Sequence, residues 1–443
     1  MPRTNIADLL LLPPHGILYI AAVLVQDGYK VKIVDSNQDN DYKNSIIKLL
    51  PEYDTIGITV NIATMKDALG IAKLIRSKSP ESKIIMGGPH PTNVFSYLIP
   101  RYADVVVLGE GEDTIRELAK NNRLSEVEGI AYWHDNTLKV NKRRALIEDL
   151  DGLPFPALSL LHSRSYALGA VLRKKKAIMI TSRGCPHRCF YCTKAVHGNK
   201  IRLRSVKNVI LEIDQLVNHL GIKQIQIWDD NFTFYPDRVK ELCKEIIKHN
   251  FHRKVRFIIP NGIRGDVYDE EMFKIMHRAG FEGVVVGIET GSQEMQYKIG
   301  HNLDLEMAKK TIVALKKAGL KVTLFFMIGL PFENEQTMQE TIDFAKESPA
   351  DNAVFFMATP FPGTGMYDLI KEEGTFLKDP IWGTGDYTSG QQLFAIGALK
   401  SKMAERRFYQ AYKDYYLNLR KITDLFWLLM GRTLAISIFG KSN

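Results

Sequence analysis

Three of the four cysteines in this 443-residue chain lie together in RGCPHRCFYCT, residues 183–193, as Cys185, Cys189 and Cys192. The C-x3-C-x2-C spacing is too tight for structural bridging, and four cysteines do not make a disulfide framework. A reducing, cytoplasmic setting is expected. Thiols grouped in this way are metal ligands, and two chemistries fit. Zinc would take a fourth protein ligand, which His187 or His197 could supply. An iron–sulfur cluster on three thiolates would leave one iron without a protein ligand, free to bind a small molecule, and soft sulfur donors suit such clusters. Cys243 stands apart in VKELCKEIIKH, a helix pattern in which a free cysteine is ordinarily a buried packing residue.

The elements that must position these thiols read as two α/β units. At 45% apolar residues the chain is globular and too long for one ordinary core. Between Gly16 and Leu118, KVKIVD (30–35), TIGITV (55–60), KIIMGG (83–88) and DVVVLGEG (104–111) read as buried parallel strands. Helical stretches such as ATMKDALGIAKLIRSK separate them. This is a doubly wound, Rossmann-like α/β pattern, with the GGPHPT and GEGE loops at the carboxyl edge where such sheets bind ligands. A hairpin follows, GIAYW and TLKVN about the turn HDN. The stretch DLDGLPFPAL (149–158), with two prolines and no periodicity, marks a linker. From Lys176 six further strands alternate with helices: AIMITS, QIQIWDD, VRFIIPN, GVVVGIET, KVTLFFMIG and NAVFFMA. Six βα units suit a (β/α)6 partial TIM barrel, with the three cysteines in the loop at the carboxyl end of its first strand.

C-x3-C-x-aromatic-C, with Tyr191 as the aromatic, directly after a first barrel strand resembles the signature of the radical S-adenosylmethionine (radical SAM) superfamily. The resemblance implies a 4Fe-4S cluster on Cys185, Cys189 and Cys192, whose open iron chelates S-adenosylmethionine. It also implies cofactor contacts at the strand ends. Asp229, Asp230 and Asn231 after the second strand would meet the methionyl amine. Asn261 and Arg264 after the third, and Glu289 with Ser292 after the fourth, would face the ligand, and the backbone at Gly329 after the fifth would pack on adenine. A reductant such as a flavodoxin or ferredoxin is implied as partner, together with anaerobic life.

The N-terminal pieces PPHGILYIAAVLVQDGYKVKIVD, IGITVNIATMKDALGIAKLI, IIMGGPHPT and DVVVLGEGE resemble the cobalamin-binding domain that often precedes such a barrel, with Thr59, Gly87, Gly88, His90 and Gly109 as expected contacts. The Asp-x-His-x-x-Gly motif that supplies an axial histidine is absent, so no residue is nominated as lower cobalt ligand. The organisation expected is a cobalamin-binding domain over 1–148, a linker over 149–175, the barrel over 176–380 and a helical region over 381–443. The resemblance reaches toward the anaerobic magnesium-protoporphyrin monomethyl ester cyclase and hopanoid-modifying branch. It implies a cobalamin-dependent enzyme that modifies an unactivated carbon by methyl transfer, with radical cyclisation or rearrangement as the alternative. A cobalamin carrier or sensor without catalysis is the reading from another class, and it leaves the clustered thiols unexplained.

The formal charge of +9 raises nucleic acid as a partner, but the basic residues are spread along the chain without an aromatic RNA motif. A small-molecule substrate, lipid or tetrapyrrole, is expected instead. The N-terminus lacks a secretory signal pattern. In the tail, KSKMAERRFYQAYKDYYLNLRKI is a basic helix pattern with Phe408, Tyr412, Tyr415, Tyr416 and Leu419 on one side. Such a helix either packs on the barrel or lies at the inner face of the membrane. The run TDLFWLLMGRTLAISIFG after it is too short and too interrupted for a span of roughly 20 apolar residues.

Overall fold

The computed structural model describes residues 13–121, 123–161, 175–382, 390–399 and 402–417. Strands β1 (Thr55–Thr59), β2 (Lys83–Gly87) and β3 (Val105–Val107) run parallel and adjacent. The antiparallel hairpin β4 (Ile130–His134) and β5 (Thr137–Val140) completes a five-stranded sheet in chain order. Asp135 and Asn136 turn the hairpin with φ of 49° and 56°. Two left-handed residues match the twist of the strands, and Asp and Asn tolerate that conformation best after glycine. On the helix Met65–Lys78, Met65, Ala68, Ile71, Ala72 and Ile75 are buried, which is one stripe of a 3.6-residue repeat laid on the sheet.

The expected strand at 30–35 does not form. Tyr29, Lys30 and Lys32 are exposed, and Val31, Ile33 and Val34 are only partly covered. A β-branched run with lysines at every second position and one half-covered face has too little apolar contact to settle into a buried ladder. Among the described residues the first sheet therefore shows no reversal of strand order.

The second sheet has six strands, all paired in parallel: β6 (Lys176–Met179), β9 (Gln224–Ile227), β10 (Arg256–Arg264), β11 (Phe281–Glu289), β12 (Lys321–Ile328) and β13 (Asn352–Met357), adjacent in that order. This is the partial barrel. Its outer face is a single apolar core in which Phe257 stacks on Phe281 and Phe326 on Phe355, beneath a ring of helices. Cys243 is fully buried there. Between β6 and β9, β7 (Ser182–Arg183) and β8 (Arg202–Leu203) pair antiparallel, so the cysteine loop leaves and returns through one short ladder.

The helix Met403–Tyr416 lies against β12, β13 and the helix Glu335–Glu347, with Phe408, Tyr415 and Tyr416 buried. Tyr416 donates its hydroxyl hydrogen to the Ala353 carbonyl at 2.9 Å, and Tyr412 reaches that of Phe355 at 3.1 Å. The aromatic stripe is thus spent on the edge strand of the barrel, which it covers. Leu419 and the run 423–440 lie outside the described residues. Among the described residues no helix is long and apolar enough to cross a membrane.

Candidate active site

The carboxyl edges of the two sheets face one another across a cavity of about 1000 Å³. One wall comes from the first sheet and the start of the helix His15–Gln26, the other from the barrel strand ends and the cysteine loop. Cys185, Cys189 and Cys192 all line it. The loop that carries them turns at Gly184, whose φ is +91° and where an added Cβ would stand 2.2 Å from the Lys200 carbonyl oxygen, so only glycine fits. The three thiols are free. Burial pushes the Cys189 thiol up to about 11 and raises that of Cys192, and the thiols add to one another's effect. Burial works against the Lys194 ammonium, yet Cys192, Cys185 and Cys189 beside it raise its pKa overall.

Among the described residues no three Cys, His, Asp or Glu side chains already close around a common metal point. The donor set nonetheless fits an iron–sulfur cluster: three reduced thiols on one loop, open to a cavity on one side. Of the two histidines that could complete a zinc site, His197 is engaged through Nδ1 with Asp230 Oδ2 at 3.0 Å. His187 lines the cavity, its ring edge-on to Phe234 and its Nε2 buried without a hydrogen-bond partner.

Asp230 and Asn231, after β9, line the cavity. Burial works against the Asp230 carboxylate, but His197 and the Gly184 N–H, at 2.7 Å, hold its pKa below the usual value. Both side-chain polar atoms of Asn231 are buried without a hydrogen-bond partner, a costly state that a polar ligand would relieve. Asn261 donates to the Asp229 carbonyl at 3.0 Å, and Arg264 pairs with Asp266 while donating to the His301 carbonyl. Glu289 ends β11 at φ 67°, with a register shift in the ladder beside it. A non-glycine residue there stores about 1–3 kcal/mol of strain, which the surrounding structure must hold in place. Burial pushes its carboxyl up to about 7, against the opposing pull of Arg264.

On the facing wall Thr59, Gly87, Gly88 and Gly109 line the cavity with Gly57 and Gly111. This edge is a cradle formed by missing side chains, of the kind that lets backbone approach a large flat ring.

Four expected contacts lie elsewhere. Asp229 is fully buried and points away from the cavity. It accepts from the Thr181 N–H and hydroxyl at 2.6 Å each and from the Ser182 hydroxyl at 2.7 Å. Ser292 is buried off the lining, at the start of the helix Gln293–Lys298. Gly329 donates its N–H to Glu333 at 2.7 Å, and a Cβ on it would meet Ala404 of the C-terminal helix at 2.9 Å. His90 is buried, with Nε2 2.7 Å from the Ile381 carbonyl, so it anchors the segment after the barrel to the first domain.

Other lining residues carried no sequence signal of their own. His15 opens the helix His15–Gln26 with its ring edge-on to Tyr19; burial brings its pKa down to about 3, so it is a neutral imidazole. Glu110 and Glu112, read only as part of a ligand loop, pair with Arg183 and Arg202 at the base of the cysteine loop.

Comparison with known proteins agrees with both halves. The model of the radical SAM superfamily matches residues 179–345, and that of the B12 binding domain matches residues 9–119. An uncharacterized methyltransferase of Pyrococcus horikoshii is 29% identical over 424 residues, covering 94% of this chain and 90% of its own length. The anaerobic magnesium-protoporphyrin IX monomethyl ester cyclase of Cereibacter sphaeroides is 25% identical over 376 residues, 82% of this chain and 61% of that protein. Among solved structures, the radical S-adenosylmethionine methyltransferase TsrM of Kitasatospora setae, with cobalamin and a [4Fe-4S] cluster bound, matches with a TM-score of 0.70. Its sequence identity is 18%, over 84% of this chain and 80% of that one.

Proposed function

From the premise that this chain is a radical SAM enzyme with a B12-binding domain ahead of its barrel, we propose that it transfers a methyl group to an unactivated carbon of an apolar substrate. Bound in the cavity, a 4Fe-4S cluster with S-adenosylmethionine would supply a carbon-centred radical able to abstract hydrogen, and cobalamin a methyl donor. One observation carries the reading: thiol-bearing loop and glycine cradle line the same cavity of about 1000 Å³. A carrier or sensor would have no use for that apposition.

In this reading the thiols of Cys185, Cys189 and Cys192 hold the iron. Asp230 and Asn231 receive the amine of S-adenosylmethionine, and Glu289, Asn261 and Arg264 fix its remaining polar groups. Asp229 acts behind them: its carboxylate ties β9 to Thr181 and Ser182 and so sets where Asp230 stands. Tyr191 packs beside Cys189. Gly57, Gly87 and Gly109 leave room for the corrin, with Thr59 and the Gly88 backbone beside it. Ile178, Ile180, Trp228 and Ile263 line the barrel side of the cavity, exclude water and suit a lipid or tetrapyrrole. Gly329, Ser292 and His90 support the site from behind. A flavodoxin or ferredoxin is the proposed electron source. The likeness to the cyclase of Cereibacter sphaeroides supports the second reading, radical cyclisation of a tetrapyrrole.

The test is anaerobic reconstitution with iron, sulfide and hydroxocobalamin, desalting, then turnover with methyl-deuterated S-adenosylmethionine and candidate lipids or tetrapyrroles. Methyl transfer predicts about four irons and one corrin retained per chain, and a product heavier by the labelled methyl. Iron retained without corrin would sink the methyltransferase reading. A product lighter by two hydrogens, without label, would favour cyclisation.

A further inference from the structure

The acidic residues of the GEGE loop are spent on the cysteine loop. Glu110 accepts from Arg202 twice, Nη1 to Oε2 at 2.8 Å and Nη2 to Oε1 at 3.0 Å, and from Arg183 Nη1 at 3.0 Å. The Ile147 N–H donates to it at 2.9 Å. Glu112 accepts from Arg183 Nη2 at 2.6 Å. The four side chains are buried, Glu110 at 7% exposed, Glu112 at 5%, Arg183 at 4% and Arg202 at 3%. Desolvation works against the Glu110 carboxylate, but Arg202 and Arg183 keep it ionised, with its pKa below the usual value.

Arg183 and Arg202 are register partners in β7 and β8, one at each end of the cysteine loop. Arg202 also donates from Nη2 to the His197 carbonyl at 2.9 Å. His197 in turn bonds through Nδ1 to Asp230 Oδ2, the oxygen that accepts the Gly184 N–H. A path of hydrogen bonds, joined through the covalent frame of His197 from its backbone carbonyl to its imidazole, therefore runs from a carboxylate of the first domain to a carboxylate on the barrel wall of the cavity. Both Glu110 oxygens are occupied by protein donors, so this residue acts on a bound ligand only through its neighbours. The Glu110, Glu112, Arg183 and Arg202 end is buried, and although Arg202 Nε is left without a partner, the paired carboxylates and guanidinium termini favour one geometry.

We propose that Glu110 is a positioning residue. Through Arg202 and His197 it sets Asp230, so S-adenosylmethionine binding in the barrel depends on a side chain of the B12-binding domain. This rests on the reading above that Asp230 receives the amine of S-adenosylmethionine.

The test is titration of the reconstituted full chain with S-adenosylmethionine, followed by the low-temperature EPR change of the reduced cluster. Iron content and melting temperature are recorded alongside. Glu110→Gln should keep its iron and weaken binding about tenfold, within the usual span of coupling between sites. Glu110→Asp, which keeps the charge, should recover part of the loss. Glu112→Gln should weaken binding less, since only one bond to Arg183 is removed. A purely structural role would lower the melting temperature and leave affinity and EPR change as in the wild type, and that result overturns the proposal. If Glu110→Gln does not fold, Arg202→Lys decides, because it keeps a positive charge but loses the planar fork that reaches both Glu110 oxygens and the His197 carbonyl. Unchanged affinity in Arg202→Lys likewise overturns it. No binding by the wild-type chain would instead refute the radical SAM cofactor reading.

Discussion

The two walls of the cavity are built by opposite means. The barrel wall does its work with side chains: three thiols, Asp230 held by His197, and a strained Glu289. The first-domain wall works by leaving side chains out, at Gly57, Gly87, Gly109 and Gly111. A wall of reactive groups tolerates little change of chemistry, and a wall of glycines tolerates little change of volume. Substitutions should therefore fail differently on the two sides, in one case by losing iron or affinity and in the other by losing room.

The largest effect is expected on the barrel wall. Cys185→Ala, Cys189→Ala or Cys192→Ala should each abolish the cluster and all turnover, read as iron per chain and the visible charge-transfer band. Cys243→Ala should keep both, losing only roughly 1 kcal/mol of stability from a small packing defect. A cluster that survives loss of Cys189 would break the assignment of that wall.

On the opposite wall Gly57 offers the cleanest volume test. An added Cβ there meets nothing within 4 Å, and Gly57 lines the cavity. Gly57→Phe should prevent retention of hydroxocobalamin after desalting while iron content stays at the wild-type level. Gly88 is a poorer probe: at φ +112° its Cβ would strike the Val60 carbonyl oxygen at 2.6 Å, so any side chain there displaces the backbone just after β1 instead of filling the cavity. Full corrin retention in Gly57→Phe would show that the cradle lies elsewhere.

Glu289 sharpens the chemical side more gently. With its carboxyl pushed up to about 7 by burial, it is neutral below that pH and charged above it. Affinity for the cationic cofactor should therefore rise between pH 6 and 8, and Glu289→Gln should flatten that dependence and weaken binding at pH 8 without loss of iron. The stability linkage has the opposite sign. A carboxyl raised in the folded state stabilises the fold below its unfolded value of 4.5, and that contribution is lost as pH rises through about 7. The wild-type cofactor-free chain should accordingly lose part of its thermal stability across that window, and Glu289→Gln should lose less. Equal pH profiles for the two proteins would remove Glu289 from the cofactor site.

The smallest effect belongs to the tail. Tyr416→Phe removes one hydroxyl bond to the Ala353 carbonyl. It should cost about 1 kcal/mol in denaturant unfolding, with cofactor binding unchanged. A change in cofactor affinity would instead tie the C-terminal helix to the site.

The sequence by itself determined the thiol cluster, the six barrel strands and the glycine loops, because each is a local pattern. Ligand spacing, strand and helix periodicity and turn chemistry are all written within a few residues. It misplaced the strand at 30–35, since β-branched composition says nothing about whether a ladder partner covers the second face. Tertiary structure alone decided which strand-end residues turn toward the cavity. Asp229 and Asp230 are sequence neighbours, yet the alternation of an extended chain sends one into the interior against Thr181 and the other to the wall beside His197. It decided, too, that His90 secures the segment at Ile381 instead of a ligand, and that the aromatic tail covers β13. The role of Glu110 was out of reach of any local pattern. Its partners Arg183 and Arg202 lie 73 and 92 residues away in sequence, and only the meeting of two domains turns four separated charges into one buried network.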